Sequence, residues 1–126
     1  YFLRAQKNPL YKTPEFAYTN AALCLLKIDQ NERAMDYLRK ALAARSNFPT
    51  ALIAMGREQF EQHKFSEAKI YLDRFHLVAN PTAISLWLAI RTELELDGSS
   101  NIDALTDRLG SDFPDSDEYQ SWLKMQ

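Results

Sequence analysis

The sequence predicts an all-α fold, a right-handed superhelix of antiparallel helix pairs. Three observations carry this. First, the chain nearly repeats itself every 34 residues: Ala34 recurs as Ala68, Tyr37 as Tyr71, Leu38 as Leu72, and Ala22 as Gly56. Second, turn-forming stretches separate the apolar segments at regular intervals, as in Asp29-Gln30-Asn31 and His63-Lys64-Phe65. Third, the 126 residues are 46% hydrophobic and 25% charged with only 3 Gly, a composition suited to one helical domain.

A period of 34 with small residues at fixed slots is the mark of the tetratricopeptide repeat (TPR), a helix–turn–helix unit that stacks into a solenoid. Residues 1–126 then form a single TPR domain fragment. Tyr1 to Lys7 reads as the last part of a helix, and Asn8-Pro9 closes that truncated repeat at 1–9. The first complete repeat spans 15–47, with helices at 15–28 and 31–45. The second spans 49–80, with helices at 49–62 and 65–78. Pro49 and Pro81 suit helix starts. Ala22 and Gly56 fall where the first helix must approach the second closely, and Ala34 and Ala68 are the matching small residues. The unit at 82–113 is a degenerate TPR. Its apolar spacing is right, but the small slots hold Ile90 and Ile102, so the pair must pack differently or more loosely. Residues 115–125 read as a capping helix, with Ser116 as N-cap and Tyr119, Trp122 and Leu123 covering the edge of the third unit.

Composition also restricts function. A formal net charge of −2 with interspersed signs offers no broad basic surface, which argues against nucleic acid as a partner. No apolar run approaches the roughly 18 residues of a membrane span. The chain begins at Tyr1 rather than Met, so the lack of a signal segment says nothing about the intact protein. Cys24 is the only cysteine; between Leu23 and Leu25 it is expected to be buried and unreactive.

The residues give no sign of an enzyme. His63 and His76 have no metal-ligand companions at the right spacing. The acidic run from Asp112 to Glu118 lacks the Gly and distal Glu of a calcium loop. Gly56, Gly98 and Gly110 cannot form a phosphate loop. No catalytic residue, cofactor, metal or small-molecule substrate is therefore expected. What remains is a surface. On such solenoids the first helix of each pair lines the concave face. Helical periodicity places Phe16, Thr19, Asn20, Leu23 and Lys27 there from the first unit, and Ile53, Arg57, Phe60 and Glu61 from the second. Trp87, Arg91, Leu94 and Glu95 follow from the third. Asn20, Leu23, Ile53, Arg57, Phe60, Trp87 and Arg91 are the candidate protein-binding residues, because aromatics and Arg concentrate binding energy. On a solvated face, Arg57–Glu61 and Arg91–Glu95 would instead be simple i,i+4 pairs.

Several strings go beyond a generic repeat. Asn8-Pro9-Leu10-Tyr11-Lys12-Thr13-Pro14, Asn20-Ala21-Ala22-Leu23-Cys24 and Phe113-Pro114-Asp115-Ser116-Asp117-Glu118-Tyr119 resemble the type IV pilus biogenesis/stability TPR proteins (the PilF/PilW pilotins), in the C-terminal portion of that family's length. So does Leu86-Trp87-Leu88-Ala89-Ile90-Arg91-Thr92-Glu93. Where the family has Gly in this Asn-Ala-Gly stretch, the chain has Ala22. The resemblance implies a pilotin on the periplasmic face of the outer membrane. It would be held there by an N-terminal lipid anchor that this sequence does not contain. Its partner would be the type IV pilus secretin subunit, whose localisation and multimerisation it assists. Two other readings stand beside it: a generic TPR adaptor or co-chaperone binding a peptide segment, and a helical accessory domain of a periplasmic enzyme.

Overall fold

The computed structural model describes residues 14–126, with the backbone alone described at Ser99 and Ser100. The expected repeat end at 1–9, and the string from Asn8 to Thr13, lie outside the described residues. Seven helices and no strand occur among the described residues: α1 (Pro14–Lys27), α2 (Asn31–Ala44), α3 (Pro49–Glu61), α4 (Phe65–Val78), α5 (Ala83–Glu95), α6 (Ser99–Asp112) and α7 (Asp117–Lys124). They form a TPR-like array in which consecutive helices pair. None is long and apolar enough to cross a membrane.

The backbone keeps the 34-residue period through all three pairs. α2, α4 and α6 start at Asn31, Phe65 and Ser99 and end at Ala44, Val78 and Asp112. The turn inside each pair is built the same way. Asp29, His63 and Asp97 each adopt the left-handed conformation, with φ of 60°, 62° and 59°. In each turn the following N–H reaches back to the helix it has just left. Gln30 N–H donates to Leu25 O (2.9 Å), Lys64 N–H to Gln59 O (2.8 Å) and Gly98 N–H to Glu93 O (2.8 Å). This is the Schellman arrangement, which satisfies carbonyls a helix end would leave open. Asp and His tolerate the left-handed region better than most side chains, which is why three turns without glycine at that position can close.

Close approach inside each pair depends on the small slots. Ala22, Ala34 and Ala68 are fully buried. At Gly56 a Cβ would lie 3.2 Å from both Cγ and Cδ2 of Leu72, tighter than ordinary contact. In the third pair Ile90 is fully buried and Ile102 half-buried, and α5 and α6 pack less extensively than the first two pairs. The less extensive packing agrees with the expectation from bulk at these two positions.

Helices α3, α5 and α7 start with a proline or a side-chain cap. Pro49 occupies the first turn of α3, where a missing N–H costs nothing. Pro81, by contrast, lies before α5, which opens instead on a capping box between Thr82 and Ser85. Ser116 caps α7, its hydroxyl accepting from Tyr119 N–H at 3.1 Å. Tyr119 and Trp122 pack on the cluster of Leu86, Ile90 and Leu109. Leu123 does not; it remains 43% exposed.

The expected burial of Cys24 is wrong: the thiol is exposed. The buried seam of α1 follows Glu15, Thr19 and Ala22. Cys24 lies two residues past Ala22, about 200° around the helix. Because α1 is apolar on more than one side, hydrophobic neighbours in sequence did not indicate which side is packed. Thr19, expected on the inner surface, sits on that seam and is 2% exposed.

Candidate functional site

An open groove of about 800 Å³ runs across the first helices of the three pairs. Its apolar lining comes from Leu23 and Leu26 of α1, Ile53 and Ala54 of α3, and Ile84 and Leu88 of α5, with Phe75 reaching in from α4. A charged group gathers around the α1–α3 part: Lys27, Asp29, Arg57, Glu58 and Glu61. Leu23 and Ile84 are 37% and 58% exposed, so the groove presents apolar side chains to water.

Of the seven predicted residues, Leu23, Ile53 and Arg57 line this groove. Asn20 is exposed on α1 but outside the lining. Phe60 packs against the cluster of Leu72, Leu88 and Ala89 and meets Phe65 edge-on at 5.3 Å between centroids. Arg91 lies over the Phe60 ring, 4.5 Å from its centre. Trp87 packs on Leu86, Ile90 and Leu109, inside the third pair. The predicted set is thus divided: three residues in the groove, Asn20 exposed outside its lining, a Phe60–Arg91 stack, and a half-buried Trp87 packed on the third pair. Neither Arg57–Glu61 nor Arg91–Glu95 is among the ion pairs of the described residues.

The sequence did not point to Leu26, Ala54, Phe75, Ile84 or Leu88 as groove residues, nor to Glu58, the one buried charge among them. Glu58 is only 7% exposed, and Asn31 Nδ2 donates to its Oε1 at 3.1 Å. Burial raises its pKa above the usual carboxylate value, and nearby Glu61 pushes the same way against Arg57 and Asn31. The available signal was its position between Arg57 and the buried Gln59, where a helix turns from solvent to core.

A second groove, about 920 Å³, opens on the other side between α4 and α6, floored by α5. Its charges are largely satisfied within the protein. Lys69 Nζ pairs with Glu93 Oε1 at 2.7 Å and with Asp73 at 3.7 Å, and Arg108 pairs with Asp112. The Glu93 and Asp73 contacts raise the Lys69 pKa against partial burial. His76 Nε2 lies 2.9 Å from Ser85 Oγ, and Asp73 is also nearby, a combination that superficially resembles a nucleophile–base set. Ser85 is fully buried, however. Its hydroxyl accepts from Thr82 N–H at 2.8 Å and donates to Thr82 O at 3.1 Å. The contact with His76 Nε2 is the third bond of the same hydroxyl. The cluster is a helix cap tied to a neighbouring helix, and no substrate can reach the hydroxyl.

Comparison with known proteins agrees with the fold. No protein-family model matches the sequence, and no curated protein matches it. Two solved structures do. The first, from a functional characterisation of Pseudomonas aeruginosa PilF, has a TM-score of 0.85 at 24% identity, covering 98% of this chain and 56% of that one. The second, PilW, described as a widely conserved type IV pilus biogenesis factor, has a TM-score of 0.77 at 28% identity, covering 97% of this chain and 56% of that one. The chain shares its fold with these type IV pilus proteins and spans little more than half their length.

Proposed function

We propose that this chain is part of a non-catalytic scaffold of type IV pilus biogenesis, a pilotin that binds the secretin subunit and assists its outer-membrane localisation and multimerisation. The observation that carries the reading is the open apolar groove along the row of first helices, in a fold shared with a pilus biogenesis factor. An exposed apolar surface of this kind, rimmed by charge, suits a protein segment laid across several repeats. Its location would be the periplasmic face of the outer membrane, with a lipidated N-terminus as the only membrane contact.

The test is capture of a purified secretin subunit by immobilised protein carrying Leu23→Asp with Arg57→Ala. Both positions line the groove and lie off the small-residue seams. Phe60 is unsuitable because its packing would be lost. Capture should fall at least about tenfold, equivalent to about 1.4 kcal/mol, while circular dichroism stays unchanged. Full capture by the folded double variant would remove the groove as the secretin site.

A further inference from the structure

Among the described residues Glu15, Glu58 and Glu93 are nearly buried; Glu15 pairs with Arg45, and of the two that face a groove only one has an ion pair. Glu93, 5% exposed, is paired with Lys69 at 2.7 Å. Glu58, 7% exposed, has the amide of Asn31 on Oε1 and no ion pair among the described residues. The positions one period away hold Cys24 and Thr92, so the carboxylate is peculiar to the middle repeat. The charged groups around it do not supply what is missing. On its own helix, Arg57 is exposed and forms no ion pair with it, and Glu61 adds a like charge. From α1 and its turn, Lys27 and Asp29 offset each other, so the groove carries two positive and three negative side chains.

We propose that the first-helix groove takes a partner segment that is apolar except for one lysine or arginine, whose cation seats on the Glu58 carboxylate. This rests on the reading of the groove as a protein-binding surface and specifies its occupant by charge. A buried carboxylate without a cation is unfavourable in the free protein, because desolvation is not repaid. A cation arriving with an apolar segment supplies the partner that Lys69 supplies to Glu93. The surrounding apolar side chains exclude water from the pair and strengthen it. Burial and Glu61 both favour the protonated form of Glu58, as expected of a site short of positive charge. The occupant's remaining contacts are with Leu23, Ile53, Ile84 and Leu88, which have no polar group to offer.

A phage-displayed library of random 12-residue peptides, panned on the immobilised protein, provides the probe. The enriched peptides should share one Lys or Arg flanked by Leu, Ile or Phe. The best of them is then synthesised with and without that cation (Lys or Arg→Gln). Both are titrated into the wild type and into Glu58→Gln, Leu23→Asp and Ile84→Asp. Removing the cation from the peptide, or the charge from Glu58, should each weaken binding roughly tenfold or more, and the two changes together should cost no more than either alone. Glu58→Gln keeps the shape and the Asn31 hydrogen bond, so its folding is preserved. A consensus without a basic position, or undiminished binding to Glu58→Gln, overturns the proposal. If binding also survives both Leu23→Asp and Ile84→Asp, the groove reading falls with it. If those two variants lose binding and Glu58→Gln does not, the groove stands and only the cation site is lost. A library that yields no binder overturns both.

Discussion

The two junctions between successive helix pairs share a backbone and differ in chemistry. At the first, between α2 and α3, Met35 occupies the slot that Lys69 holds at the second, between α4 and α5. Gln59 likewise corresponds to Glu93, Leu42 to His76, and Ala51 to Ser85. One junction is therefore apolar or neutral at four places where the other carries an ion pair and an imidazole–hydroxyl bond. The turns and helix bounds meanwhile recur at the same spacing on both sides. The period therefore specifies helix length, turn geometry and close approach, and leaves the polar content of each junction free. Met35 does keep some polar company, since Gln62 Nε2 donates to its sulfur at 3.0 Å.

The largest expected effect comes from converting half of the second junction into the first. Lys69→Met leaves Glu93 buried without its cation and should cost about 2–4 kcal/mol. That is somewhat below the usual range for an orphaned buried ion, because the Lys69 side chain is 34% exposed. Lys69→Met with Glu93→Gln reproduces the Met35/Gln59 pairing and should recover most of that loss. Urea denaturation of both variants checks this. Equal losses in the single and double variants would mean that the ion pair is not what distinguishes the junctions.

Next in size is a change to a feature that belongs to the shared backbone. Gly56→Leu must push Leu72 aside and should cost about 1–3 kcal/mol, partly offset by better helix propensity. A thermal melt at or above that of the wild type would show that spacing inside the pair is adjustable, so that a large residue fits there as Ile90 does in the third pair.

The smallest effect separates the junctions by pH. Burial, with some help from Arg108 and against Asp73, holds the His76 pKa below its ordinary value of 6.5. The unfolded chain then binds more protons than the native one between the lowered value and 6.5, so stability falls as pH drops through that window and rises as pH increases. His76→Leu with Ser85→Ala installs the Leu42/Ala51 pairing, which has no titrating group. The difference in unfolding free energy between wild type and variant should therefore shift against the wild type on acidification. A difference independent of pH across that window would deny His76 this role.

The period was legible in the sequence because small residues and turns recur in it, and the helices fall within a few residues of the expected bounds. The Ser116 cap was legible for the same local reason. Sidedness was not. Cys24, Phe60 and Trp87 sit on helices that are apolar on more than one face, so periodicity could not say which face meets a neighbour and which meets solvent. Glu58 was hidden because a buried carboxylate looks like any surface glutamate until the fold places Asn31 against it. Leu23, Ile53 and Arg57 fall on the groove because they share the inward stripe of the first helices that helical periodicity marks.

The glycine at 110 has a meaning for assembly. A Cβ there would come within 2.7–2.9 Å of Cζ, Cε1 and the hydroxyl oxygen of Tyr119, so any side chain at 110 would force Tyr119 out of its present place on the third pair. A stack of like units is, in principle, extensible, because the surface that receives one pair can receive a pair from another molecule. Such head-to-tail contacts, where the rotation does not close a ring, lead to filaments. By pressing Tyr119 and Trp122 onto Leu86, Ile90 and Leu109, α7 occupies the place where a further copy would add. Gly110 is in this sense a stop signal for growth of the array.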